Sequence, residues 1–507
     1  MQINLKINTT TLYKTLMTAL IFLIGSTVLL LNSSRWLARR WGVLNLEQLI
    51  FHMRAPTVGS NPDLFWDFAI DNLPIVFFIT MVVTVTFIQS LKWQKKRQHT
   101  MLMVTTTCFF GLALLTWNHI WIGLDVQAFV ENQQEFSTFV EDHYIPPETV
   151  TLTFPEERQN LIYIYLESME TTFMSTVDGG AFSENLIPDL TALARDNVNF
   201  SPTNSLGGAH VTTGSTWTSA GMFAQTAGLP LDVPINGDAI LADSLLLTYE
   251  DVPLFPREII TLGDILEAEG YHQVLMMGSD ATFGGRRYYF TNNGNYEIFD
   301  YNTAISQGLI PEDYHVWWGF EDERLLTFAQ EMLTELGQSD QPFNLTLLTA
   351  DTHFEDGFLG DHCPEPFETQ YANVLLCSSR QIYDFVRWIQ EQPFYENTTV
   401  VIVGDHLTMQ SLESPFWEEF PIADGYARMV YNAFINVPFQ PESTTNRTFT
   451  TMDLFPTTLA SLGVEIEGER LGLGTNLFSN VPTLAEEVGL EEMNRELEQS
   501  STFFDHN

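Results

Sequence analysis

Three short apolar runs in this 507-residue chain end in side chains that bind metals or move protons. NLIYIYL at 160–166 is followed by Glu167-Ser168, TTVVIV at 398–403 by Gly404-Asp405-His406, and FNLTLLT at 343–349 by Ala350-Asp351-Thr352-His353. Two carboxylates and an imidazole suit a hard or borderline divalent cation such as Mn²⁺, Mg²⁺ or Zn²⁺. Each has an ordinary reading alone: a glutamate after a strand caps or pairs, and an Asp-His step makes a turn. Their joint appearance at strand ends is what points to a site. Residues 207–230 (GGAHVTTGSTWTSAGMFAQTAGLP) add a nucleophile candidate, running from a Gly- and Thr-rich loop into a helical pattern that begins near Thr218. A hydroxyl at a helix N-terminus sits in positive potential, which favours an alkoxide and attracts phosphate. The same position suits threonine as a plain N-cap.

The elements that would position these residues follow from the hydrophobic pattern. The runs at 160–166, 272–277, 343–349, 398–403 and 432–437 read as buried strands, and 187–197, 261–270, 322–337, 372–391 and 453–462 as helices. That alternation predicts an α/β domain with a mostly parallel central sheet covered on both faces. Such sheets bind ligands outside the carboxyl ends of their strands, where the candidates stand.

Charge divides the chain in two. Residues 1–124 hold 10 Lys and Arg against 4 Asp and Glu; the rest hold 12 against 60, a net charge of −48, with no lysine after Lys96. An acidic domain of this kind does not seek nucleic acid, and a local cation or arginine must offset its field wherever an anion binds. In the basic part, 12–32, 73–90 and 101–122 are long and apolar enough to cross a bilayer. Lys92, Lys95, Lys96 and Arg97 assign the loop after the second span to the cytoplasm, together with an N-terminus carrying Lys6 and Lys14. Everything after about residue 123 is then extracytoplasmic, in a multi-pass cell-membrane protein. Arg35, Arg39, Arg40 and Arg54 fall on the outer side, and 35–54 reads as an amphipathic helix on the outer membrane face, meeting lipid phosphates. The rival reading makes this segment cytoplasmic and one span miscounted. The expected organisation is a membrane domain at 1–123 with three transmembrane helices, a connector at 124–158 broken by Pro146, Pro147 and Pro155, a catalytic domain at 159–480, and an acidic tail at 481–507 forming a surface helix or a frayed end.

The order of strand-Glu, Thr at a helix start and strand-Gly-Asp-His resembles the alkaline phosphatase/sulfatase superfamily. Within it, the chain is similar to the membrane-bound phosphoglycerol transferases, which include lipoteichoic acid synthases and enzymes that add phosphoglycerol to periplasmic glucans. The segments carrying the resemblance are LIYIYLESMETTF at 161–173, TWTSAGMFAQTAGLPL at 216–231, TLGDILEAEGY at 261–271, VIVGDH at 401–406 and MDLFPTTLASLGVEIEGERLGLGTNLF at 452–478. The resemblance implies Glu167, Thr218, Asp405 and His406 around one divalent ion, Mn²⁺ foremost with Mg²⁺ or Zn²⁺ as alternatives, and Thr218 as nucleophile. ATFGGRRYYF at 281–290 resembles a substrate-binding stretch that would set Arg286 on the phosphate, although Gly284 stands where a tryptophan is common. His353 resembles a substrate-facing histidine, and a cysteine pair common near the helix at 372–391 implies a Cys363–Cys377 disulfide.

The implied reaction is transfer of glycerophosphate from phosphatidylglycerol, through a threonine-bound intermediate, to a polymer, glycolipid or glucan hydroxyl in envelope synthesis. A phosphoethanolamine transferase is the rival enzyme, and a non-catalytic envelope binding protein on the same scaffold the rival class. A sulfatase activity needs a C/S-x-P-x-R motif, which Cys363-Pro364-Glu365-Pro366-Phe367 does not satisfy.

Overall fold

The computed structural model describes residues 9–41, 46–55, 59, 62–232, 254–256 and 258–506. Lys6 and residues 42–45 of the segment 35–54 lie outside the described residues. Two compact units divide the chain: one takes Met1–Leu46 and Asn61–Val130, the other Glu47–Ser60 and Glu131–Asn507.

Among the described residues, the first unit holds three helices long and apolar enough to cross a membrane: α1 (Thr9–Trp41), α3 (Pro62–Ser90) and α4 (Lys95–Gly123). Tyr13 on α1 bonds the Ser90 hydroxyl at 2.6 Å, and Met17 and Leu20 pack with Phe87, Met101 and Phe109. Between α1 and α3 in sequence lies α2 (Leu46–Arg54), which corrects the reading of 35–54 as one helix on a membrane face. Residues 35–41 finish α1, and α2 buries Gln48 and Phe51 within the second unit. The arginines set its sequence pattern, but Phe51 finds a better partner than lipid in an aromatic core.

The second unit continues with α5 (Val126–Asn132), α6 (Phe139–His143), the short strand β1 (Leu152–Thr153), and then the sheet strands. These are β2 (Asn160–Leu166), β3 (His272–Met277), β4 (Glu297–Phe299), β5 (Phe343–Leu348), β6 (Thr398–Gly404) and β7 (Asn432–Ile435). They form one sheet in the order β4-β3-β5-β2-β6-β7, parallel throughout except that β7 runs antiparallel to β6. The architecture is the α/β domain with a mostly parallel sheet that the pattern predicts; β4 is the strand that pattern misses.

Alternate strand residues feed two cores. Leu161, Tyr163, Tyr165, Val401 and Val403 face one side, where α8 (Thr218–Ala227), α9 (Leu262–Ala268) and α10 (Arg286–Asn292) pack, reached in sequence through α7 (Pro188–Asp196). Ile162, Ile164, Leu166, Val400 and Ile402 face the other, covered by α7 and, beyond α11 (Tyr301–Ser306), by α12 (Asp322–Leu336) and α13 (Gln370–Gln390). Burial on both faces is why these strands read as continuous apolar runs.

Segments at both ends of the unit join it. β1 pairs antiparallel with β8 (Glu465–Ile466), so the Pro-rich stretch is tied to the C-terminal region. The acidic tail folds as helices Leu484–Val488 and Leu490–Leu497, with Leu484, Ala485 and Met493 buried and a Thr483/Glu486 capping box at its start. Its apolar side chains return it to the core despite its charge.

Candidate active site

Sheet register brings the two carboxylates together. Leu166 lies opposite Gly404 in the β2–β6 ladder, so Glu167 and Asp405 leave the sheet side by side. Tyr165 pairs with Leu348 on the other side of β2, and Thr349 just beyond accepts the Glu167 backbone N–H at 3.0 Å. Ser168 turns the chain sharply with φ +55°, a conformation non-glycine residues adopt at a cost. Its N–H donates to Asp405 Oδ1 at 2.8 Å and its hydroxyl to Glu167 Oε1 at 2.7 Å, so the strained residue fixes both carboxylates.

Helix α8 delivers the hydroxyl. Thr218 is its first residue, no side chain caps it, and Thr218 Oγ1 lies 3.2 Å from Glu167 Oε2 and 3.3 Å from His406 Nε2. Gly221, one turn on, lets the helix reach this depth: a Cβ there would stand 2.2 Å from the Asp405 carbonyl oxygen. Ser219 donates instead to the Gly284 carbonyl at 2.9 Å, which leaves Thr218 as the hydroxyl that α8 brings to the carboxylates.

The cluster has the donor set of a cation site. Ligand atoms of Glu167, Asp405 and His406 lie within 4.8 Å of one another, and all three residues are buried. His406 Nδ1 donates to the Leu407 carbonyl at 2.7 Å, which leaves an Nε2 lone pair directed at the carboxylates. Asp405 Oδ2 is buried and makes no hydrogen bond. A buried orphan carboxylate oxygen beside an oriented imidazole and a second carboxylate fits a divalent ion.

Without a cation the charges are unbalanced. Burial and the neighbouring Glu167 push Asp405 up to about 8. Burial alone would lower His406, but Asp405 and Glu167 outweigh it and raise the ring to about 10. Burial would likewise raise Glu167, yet His406 and His353 hold it below the usual carboxylate range.

Beside the cluster runs an arc of rings and bases. Trp318 stands 4.7 Å from His353 and 5.5 Å from Phe283 between ring centroids, and the Arg286 guanidinium lies 5.6 Å from the Phe283 ring. Arg286 Nε donates to the Phe283 carbonyl at 3.0 Å. His353 Nδ1 donates to the Phe354 carbonyl at 2.6 Å, which leaves Nε2 as the basic nitrogen. Burial lowers the His353 pKa against the pull of Glu167, so the ring is neutral at neutral pH. Gly284, where the resemblance implies a tryptophan, has φ +65° and lies against Ser219, so this loop has no room for a side chain; Trp318 supplies an indole from a different loop.

The structure thus gathers Glu167, Thr218, Asp405 and His406 into one cluster, with His353 close enough to act on Glu167 electrostatically and Arg286 on His353. Cys363, before α13, and Cys377, within it, are disulfide-bonded. Sequence reasoning missed Phe283, Trp318 and Glu170. Glu170 is fully buried, accepts the Thr408 backbone N–H at 2.7 Å, and pairs with Arg428, which anchors the chain just after His406. Its carboxylate two residues past Ser168 was a visible signal; the two aromatics gave none.

The sulfatase family profile matches residues 159–464. Phosphoglycerol transferase I of Escherichia fergusonii is 33% identical over 268 residues, which span 51% of this chain and 32% of that protein. The Escherichia coli (strain SMS-3-5 / SECEC) protein of the same name is 34% identical over 265 residues, again 51% of this chain and 32% of that one. The chain therefore spans about a third of the length of these relatives. Among solved structures, the integral membrane protein lipooligosaccharide phosphoethanolamine transferase A of Neisseria meningitidis has a TM-score of 0.50 at 15% identity, over 88% of this chain and 84% of that one, a likeness of fold. With three apolar helices among the described residues, an α/β domain with a mostly parallel sheet and a fold that implies a divalent metal, the chain belongs to the sulfatase family.

Proposed function

We infer that this chain transfers glycerophosphate from phosphatidylglycerol to a hydroxyl acceptor, on the extracytoplasmic side of the cell membrane, through an intermediate on Thr218. The observation that carries this reading is the Thr218 hydroxyl, held between Glu167 and His406 at the start of α8. Its relatives named phosphoglycerol transferase I support the choice of group, and the apolar helices support a lipid donor.

Glu167, Asp405 and His406 would hold the divalent ion, Mn²⁺ in this reading, which when bound neutralises charge on the phosphoryl oxygens and on Thr218 Oγ1. The ionised Glu167 accepts the Thr218 hydrogen bond and aims an oxygen lone pair away from itself, towards the phosphorus. As the Thr218 Oγ1–P bond forms, the bond from phosphorus to the diacylglycerol oxygen breaks; the proton lost by Thr218 balances the one diacylglycerol gains. Arg286 binds the phosphoryl oxygens with its planar fork, and its positive charge offsets the acidic field of the domain. In the second half-reaction neutral His353 takes the acceptor's proton at Nε2 while the new oxygen–phosphorus bond forms and the bond from phosphorus to Thr218 Oγ1 breaks; the proton then passes to Thr218 Oγ1, which restores the hydroxyl and the neutral ring. A glycerophosphate polymer, a glycolipid primer or a glucan meets the chemical requirement of a free hydroxyl.

The test is incubation of the full chain with headgroup-labelled phosphatidylglycerol and, separately, phosphatidylethanolamine. Movement of the glycerol label to an acceptor is the expected result. Movement of the ethanolamine label alone would make it a phosphoethanolamine transferase, and movement of neither, with metal bound, would leave an envelope binding protein.

A further inference from the structure

Residues between the first two apolar helices do more than connect them. Phe51 is fully buried in the second unit, with its ring 5.4 Å from Trp217 and 6.3 Å from Phe255. Trp217 immediately precedes Thr218, so α2 braces the residue that positions the nucleophile. Gln48 Nε2 adds a contact to Met409 Sδ at 3.3 Å, three residues past His406. Farther along, Gly59 presses on the Arg286 loop: it has φ +83°, and a Cβ there would stand 2.8 Å from the Phe283 backbone nitrogen. The segment therefore touches both the nucleophile's helix and the phosphate-binding loop.

His52 is the polar residue this arrangement brings into the arc. Its ring stacks on Phe283 at 5.9 Å with an interplanar angle of 13°, and Arg286 lies over the same Phe283 ring. The residue keeps part of its surface open to solvent, and its ring nitrogens have no hydrogen-bond partner among the described residues. The protein packed against its other side desolvates the ring and, with Arg286 and His353 near, lowers its pKa to about 4, so at neutral pH it is a neutral imidazole with one N–H to give. Two groups that donate to anions, Arg286 and His52, thus converge on the Phe283 ring from distant parts of the sequence, and His52 has no protein acceptor among the described residues.

We propose that His52 is a substrate-binding residue that donates a hydrogen bond to the phosphate group held by Arg286. The inference rests on the phosphodiester reading of the site. It makes α2 part of the active site, and it explains why a helix that lies between two apolar spans in sequence is folded into the catalytic unit.

The test uses the full chain in detergent, loaded with Mn²⁺ and carrying Thr218→Ala so that nothing turns over, with glycerol phosphate as the titrated probe. His52→Phe keeps the stack on Phe283 and removes the donor; His52→Gln keeps a donor. His52→Phe should weaken glycerol phosphate binding about tenfold, the worth of one hydrogen bond to a charged group, and His52→Gln less than about threefold, with Mn²⁺ content and Tm unchanged. Parent-like binding by His52→Phe overturns the proposal. So does a loss in both variants that tracks lost Mn²⁺ or Tm, because a packing role predicts that pattern. A parallel assay of the parent chain with intact Thr218 and labelled phosphatidylglycerol separates the two readings. Absent transfer with His52-dependent binding refutes the function alone; transfer with His52-independent binding refutes this inference alone.

Discussion

The Glu167–Thr218–Asp405–His406 cluster and the arc of His52, Phe283, Arg286, Trp318 and His353 sit side by side but are built in opposite ways. The cluster is made by register: adjacent parallel strands end together, and the first residue beyond each is a candidate metal ligand. Its four members are buried or half-buried and bonded to one another and to backbone. The arc is assembled from loops and two helices, α2 and α10, that no ladder connects, and ring contacts hold it together. Reaction chemistry is therefore tied to the most rigid part of the fold, and recognition to a part that can vary without disturbing it.

Substitutions in the two regions should fail differently. Asp405→Ala removes a ligand and the residue that fixes Ser168, so both bound metal and transfer should disappear, with activity down by about 10⁴-fold or more. Metal analysis beside the transfer assay reads this, and retention of stoichiometric metal would break the distinction. Arg286→Lys keeps a charge but loses the fork, so transfer should fall by about 10²-fold with metal content intact. An equal loss of metal would mean that the arc and the cluster are one structure.

Glu170 tests what holds the cluster's loop. Removing a buried carboxylate that pairs with Arg428 and caps the Thr408 N–H should cost about 3 kcal/mol on Glu170→Ala. Denaturant melts of the full chain would read it, and a cost below about 1 kcal/mol would show that the loop is held elsewhere.

A smaller effect comes from acids held above their ordinary range. Burial raises Asp322 to about 7, with Glu167 and Glu321 adding to it, and raises Asp405 to about 8. Each keeps its proton in the folded state at a pH where the unfolded chain has lost it. Stability they contribute is present below about pH 4 and is lost as pH rises through 7 to 8. Above about pH 6.5 the lowered histidines His52 and His353 are neutral in both states and do not oppose this trend. Metal-stripped protein should therefore melt a few degrees higher at pH 6.5 than at pH 8, and added salt should narrow the gap by screening the acidic unit. A higher Tm at pH 8 would reverse the sign.

Legibility in the sequence follows the same division. Strands β2, β3, β5 and β6 were readable because two-sided burial writes an unbroken apolar run, and Glu167 and Asp405 were readable because they end such runs. Thr218 needed the resemblance, since a helix start alone fits a cap as well as a nucleophile. β4 was lost because Glu297–Phe299 is three residues at a sheet edge. Segment 35–54 was misread because its arginines look like a membrane-surface pattern, while the deciding fact is the pocket Phe51 fills beside Trp217 and Phe255. His52 and Trp318 carry no local signal; only tertiary packing gives them neighbours.

The central claim is that Thr218 carries the transferred group. Wild-type chain is incubated with labelled phosphatidylglycerol without acceptor, quenched, and its peptides analysed by mass spectrometry. A glycerophosphate adduct on Thr218, absent from Thr218→Ala, which still binds metal but transfers nothing, is the predicted result. An adduct on Thr216 or Ser219, or undiminished transfer by Thr218→Ala, would contradict the account.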